Sequence, residues 1–71
     1  MSFKKQIEEI IQIKIEDIKP EETLLQLGLD SIKIVELAGF IEDNTQLLIT
    51  EDMIFKINGK WIQDFLKKYD K

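Results

Sequence analysis

Within the stretch LGLDSIKIVEL, Leu27 to Leu37, an acid, Asp30, directly precedes a serine, Ser31, and a glycine, Gly28, stands just upstream. A serine hydroxyl can act as a nucleophile once a neighbouring base takes its proton. This chain has no histidine and no cysteine, and its ten basic residues are all lysines. It therefore lacks the ordinary base for a serine nucleophile, a soft metal ligand, and a guanidinium that could grip a phosphate in two places. Catalysis by the chain alone is disfavoured, and no catalytic or metal-ligating residue is assigned. The Asp-Ser pair also has a plainer use, because either residue in front of an apolar run caps a helix. On residue types alone, cap and functional hydroxyl both stay open for Ser31.

A chain of 71 residues has room for one domain, taken as residues 1–71. Without cysteine or histidine it must be held by helix packing instead of disulfides or a structural metal. With 44% hydrophobic and 34% charged residues it is too apolar for disorder, and no apolar run is long enough to span a bilayer. The N-terminus MSFKKQIEEI lacks the continuous apolar stretch of a signal peptide, so a cytoplasmic address is expected. The net charge of −4 is uneven: from Asp30 to Asp52 six acids face only Lys33, whereas five lysines face two acids from Met53 onward. An acidic middle repels nucleic acid and suits a partner with a basic face, or is simply a solvated surface.

The elements that position Ser31 follow from hydrophobic spacing. Phe3, Ile7, Ile10 and Ile11 make one stripe, which predicts a first helix over about residues 2 to 14. Pro20 pushes the residue before it out of helical geometry, so Ile15 to Leu29 reads as a long loop, with one helical turn at Pro20 to Leu24. Leu24, Leu25, Leu27 and Leu29 would anchor that loop on the core, and Gly28 would permit a sharp turn. A second helix starts at Asp30 or Ser31 and runs to about Asn44. Thr50 caps a short third helix, EDMIFKI, and Asn58 and Gly59 break it. Ile62, Phe65, Leu66 and Tyr69 then mark a last helix, with Trp61 at its start as a core-edge residue. The loop and the short helix are expected to be the least protected segments in hydrogen exchange, for want of backbone partners and a core beneath them.

At about 100° per residue the second helix has two apolar faces. Ile34, Leu37, Ala38 and Ile41, with Phe40 on the flank, form a core stripe. Ile32, Val35 and Gly39 form another patch on nearly the opposite side, edged by Glu36, Glu42 and Asp43. An apolar centre with an acidic rim has the anatomy of a docking surface. The equal alternative is that the first helix, the loop or the third helix covers it.

LGLDSIKIVEL resembles the phosphopantetheine attachment motif of acyl carrier and peptidyl carrier proteins, in which Gly, any residue, Asp and Ser precede Leu or Ile. The segment PEETLLQLG resembles the loop before the serine in that family. Glu42 and Asp43, the LLITED segment and the closing amphipathic helix also fall in the family's order, so the resemblance covers nearly the whole chain. It implies an all-α, antiparallel four-helix bundle of acyl-carrier type with three longer helices and one short third helix. It implies 4′-phosphopantetheine attached covalently to Ser31 by a separate phosphopantetheinyl transferase that uses coenzyme A and magnesium. The arm's thiol would hold acyl or aminoacyl groups as thioesters. A serine without a base in its own chain suits this role, because the transferase supplies the catalysis.

By the same resemblance Asp30 would contribute to the transferase's magnesium site and Gly28 would let the backbone turn to expose Ser31. Ile32, Val35, Glu36, Gly39, Glu42 and Asp43 would form the surface met by acyl- or aminoacyl-activating and transferring enzymes. Lys33 stands where fatty acid synthesis carriers commonly place an acid, Gly39 where a larger apolar residue is usual, and Thr45 and Gln46 replace a Phe-Gly pair. These departures point to nonribosomal peptide or polyketide assembly. A freestanding, monomeric carrier that is not itself an enzyme is expected. Carriers for fatty acid synthesis or D-alanyl transfer, and a helical interaction module without a prosthetic group, are the alternatives.

Overall fold

A computed structural model describes residues 2–69 of the chain. Ser2 caps the first helix, α1, Phe3–Ile11, its Oγ accepting a hydrogen bond from the Lys5 N–H at 3.3 Å. The helix ends earlier than the isoleucine spacing predicts. Gln12 turns into the left-handed region at φ 59°, and its N–H closes on the Glu8 carbonyl at 2.7 Å. The Glu8 carboxylate then accepts from the Ile15 N–H at 2.9 Å, so a side chain meets a demand that a helical carbonyl would otherwise meet. Ile15 and Ile18 stay buried although the helix has stopped, because a 3-10 turn, Ile15–Asp17, carries them to the core.

The remaining helices are α2, Ser31–Asn44, α3, Glu51–Lys56, and α4, Gly59–Tyr69. The domain is thus an all-α bundle of three longer helices and a short third one, as the resemblance implies. Phe3 of α1 meets Phe40 of α2 edge-on, with centroids 5.7 Å apart, and stacks on Phe65 of α4 at 6.0 Å. One aromatic side chain therefore joins the three longer helices. Ile34, Leu37, Ala38 and Ile41 are all buried, so the core stripe of α2 lies where its spacing puts it. Trp61 is half-buried and stacks on Phe65 one helical turn further on.

The segment between α1 and α2 corrects two expectations. The backbone does turn at Pro20 and Glu21, where the Glu22 N–H donates to the Lys19 carbonyl at 3.0 Å, but the helical turn lies over residues 24–27 and is bonded at both ends. Thr23 and Gln26 form a reciprocal capping box: Thr23 N–H donates to Gln26 Oε1 at 2.9 Å, and Gln26 N–H to Thr23 Oγ1 at 3.3 Å. At the other end Leu29 N–H reaches the Leu24 carbonyl at 3.2 Å and Gly28 N–H the Leu25 carbonyl at 3.0 Å, with Gly28 at φ 89°. That is a Schellman ending, whose left-handed position favours a residue without a side chain.

Nor is this segment short of backbone partners. Leu24 N–H donates to the Ile57 carbonyl at 3.4 Å, Gly59 N–H to the Glu22 carbonyl at 3.1 Å, and Lys60 N–H to the Pro20 carbonyl at 3.0 Å. The start of α4 is thereby laced to the loop. α3 stops at Lys56, just ahead of Asn58 and Gly59 as the sequence marks, and Gly59 opens α4, with Asn58 Oδ1 accepting from the Trp61 N–H at 2.8 Å. A Cβ at Gly59 would strike the Lys19 carbonyl oxygen and lie 2.9 Å from Ile18 Cγ2, so only glycine fits the crossing. The part of the protection expectation that concerns α3 keeps its basis, because none of its six residues is fully buried.

Candidate functional site

Ser31 is the first residue of α2 and is exposed. The preceding turn sets its position: Gly28 reverses the chain, half-buried Leu29 ties it down, and Asp30 follows in extended geometry. Asp30 caps the helix, its Oδ1 accepting from the Lys33 N–H at 2.9 Å. The cap is thereby assigned to Asp30, and the Ser31 hydroxyl makes no hydrogen bond to another described residue. The chain's other serine, Ser2, is engaged as the cap of α1.

The helix start has an anion-favouring character. Lys33 N–H is taken by Asp30 Oδ1 and Ile34 N–H by the Asp30 carbonyl, whereas the N–H groups of Ser31 and Ile32 have no acceptor among the described residues. Free N–H groups and the positive end of the helix dipole suit a phosphate attached at this point. The donor chemistry of the site therefore fits a phosphodiester on Ser31 Oγ, which the Ser31 and Ile32 N–H groups would help to hold.

The second apolar face of α2 is open. Ile32 is 72% and Val35 61% exposed, Gly39 is half-exposed, and Glu36 and Asp43 are exposed beside them. Neither α1, the loop nor α3 covers it. Glu42 differs from the other two acids: it is half-buried and its Oε2 accepts from the Ile49 N–H at 2.8 Å, which pins the segment leading to α3.

A cleft of about 320 Å³ opens beside Ser31, between the loop, α2 and α3, lined mainly by Leu25, Ile34, Val35, Ile54 and Phe55. Leu25 and Phe55 were not among the residues expected here. Leu25 is 52% exposed and so is not the core anchor that its neighbours suggested, and Phe55 is 60% exposed. The signal for Leu25 was the capping box at Thr23, which sets the phase of the turn and lets only one of the adjacent Leu24 and Leu25 face inward. No comparable signal exists for Phe55, because a six-residue helix is too short to define an apolar stripe.

A small helical domain with an exposed, unengaged serine at a helix tip offers that hydroxyl to an outside catalyst. The family model described as phosphopantetheine attachment site matches residues 2–59, and the chain belongs to that family. No curated protein and no solved structure matches it. The protein is accordingly a carrier and not an enzyme, bearing 4′-phosphopantetheine covalently on a serine. That role involves a phosphopantetheinyl transferase and the enzymes of a pathway. Among the described residues no helix is long and apolar enough to cross a membrane.

Proposed function

We propose that Ser31 is the attachment residue and that the protein carries acyl or aminoacyl groups in a cytoplasmic, specialised biosynthesis of nonribosomal peptide or polyketide type. The carrying observation is the division of labour between the two serines and Asp30. Ser2 is committed to α1, Asp30 to α2, and Ser31 alone offers an exposed, unengaged hydroxyl. In the attachment step Ser31 Oγ forms a bond to the phosphorus of coenzyme A that bears the pantetheine. The bond from that phosphorus to the adenosine 3′,5′-bisphosphate half breaks, and the Oγ proton passes to a base of the transferase. The attached group supplies a thiol on which cargo rides as a thioester.

Among the described residues no three acids gather to hold a metal ion. Asp30 would thus add one ligand to a magnesium ion held largely by the transferase and coenzyme A. Ile32, Val35, Glu36, Gly39, Glu42 and Asp43 form the surface offered to partner enzymes, with a monomer as the working form. The departures at Lys33, Gly39, Thr45 and Gln46 support specialised assembly over fatty acid synthesis. Incubation with coenzyme A, magnesium and a broad-specificity transferase should add one phosphopantetheine mass, and Ser31→Ala should remain unmodified. Equal labelling of Ser31→Ala overturns the assignment.

A further inference from the structure

Of the three glycines in the chain, two have a reason inside it. Gly28 occupies the left-handed region, and Gly59 sits where a side chain would collide with Lys19 and Ile18. Gly39 has neither reason. It lies inside α2 in ordinary helical geometry, and no atom of a packed neighbour comes within 4 Å of where its Cβ would stand. Glycine within a helix is destabilising relative to alanine. The bare backbone at Gly39 therefore weakens α2 without relieving any contact inside the chain.

Exposed apolar and acidic side chains surround Gly39. Val35 precedes Gly39 by one helical turn and Ile32 by two, so two exposed apolar side chains bound one end of a notch. Asp43 follows one turn later and Glu36 flanks it, both exposed. Ser31 is about 12 Å away along the helix axis. An enzyme that docks over Ser31 with about 800 Å² of its surface covers a patch on the order of 30 Å across, which includes Gly39.

We propose that Gly39 is a receiving notch for the phosphopantetheinyl transferase: a bulky apolar side chain of that enzyme seats against the bare backbone, while its basic residues face Glu36 and Asp43. The inference rests on attachment at Ser31. It adds a residue that selects among transferase surfaces by leaving room, where a side chain would close it.

The test is steady-state loading of the full chain by the transferase of its own host, with coenzyme A and magnesium, comparing wild type, Gly39→Ala, Gly39→Leu and Lys67→Leu. Gly39→Leu should raise KM for the carrier about tenfold, as overfilling a tight contact does, and leave kcat unchanged because Ser31 is untouched. Gly39→Ala should fall between it and wild type. Both Gly39 variants should melt about 4 °C or more above wild type, which separates the effect from unfolding. Lys67→Leu, an apolar addition on an exposed part of α4, should leave KM unchanged. Loading of Gly39→Leu with wild-type KM overturns the notch alone. A wild-type chain that takes up no arm overturns the attachment reading, and the notch with it.

Discussion

The loop between α1 and α2 and the short helix α3 both border the cleft beside Ser31, and they are held in opposite ways. The loop is irregular, yet Ile15, Ile18 and Leu24 are buried within it and its backbone is bonded twice to α4 and once to Ile57 just before it. α3 is regular, yet none of its residues is fully buried and only Met53 and Ile54 are half-buried. Regular hydrogen bonding and firm attachment are therefore separable in this protein. Local stability follows buried contacts and bonds to other elements, and a six-residue helix is far too short to stand by propensity. Ser31 is thus placed by a firmly attached wall, and the opposite wall has fewer buried contacts to hold it.

Matched truncations probe this contrast most strongly. Leu24→Ala removes a side chain that is only 1% exposed and should cost about 3 kcal/mol in urea unfolding. Ile54→Ala, on the half-buried face of α3, should cost about 1 kcal/mol, in line with its partial burial. Equal losses at the two positions would break the contrast.

Gly59→Ala tests the lacing itself. The added methyl must push α4 away from Lys19 and Ile18, and overpacking of this kind should cost about 2 kcal/mol. The loop bonds from Gly59 and Lys60 to Glu22 and Pro20 should weaken with it. Hydrogen exchange would then accelerate at Leu24, Gly59 and Lys60 before it accelerates in α2. A variant as stable as wild type, with the loop still protected, would show that the loop stands without α4.

How far the contrast could be foreseen depends on the range of the interactions. The limits of α2 and its core stripe were legible because cap and periodicity are local: Asp30, Ser31, Ile34, Leu37, Ala38 and Ile41 all carry their own signal. The turn at Gly28 and the exposed position of Ser31 were legible for the same reason. The end of α1 was not, since isoleucines at 7, 11, 15 and 18 keep helical spacing past the point where Gln12 turns left-handed. The capping box in TLLQLG was present in the sequence and went unused beside the louder signal of Pro20. The bonds from Gly59 and Lys60 to Glu22 and Pro20 join segments far apart in the chain, and no local pattern announces them. Glu42 shows a related limit: its charge marks a rim acid, but only the fold reveals that its carboxylate also holds the Ile49 N–H.

The smallest effect bears on the shallowly buried wall, α3. Thr50 Oγ1 accepts from the Met53 N–H at 3.3 Å and is the cap of α3. Loss of such a cap costs a helix about 1 kcal/mol. In Thr50→Ala that loss should fall on α3 alone, because little of the global core depends on the helix staying formed. Exchange at Ile54 and Ile57, whose N–H groups bond to Thr50 and Met53, should quicken about fivefold, while the urea midpoint moves by far less than in Leu24→Ala. If instead the global midpoint falls by the full cost of the cap, α3 unfolds only with the whole domain. The wall beside Ser31 would then be as fixed as the loop that faces it.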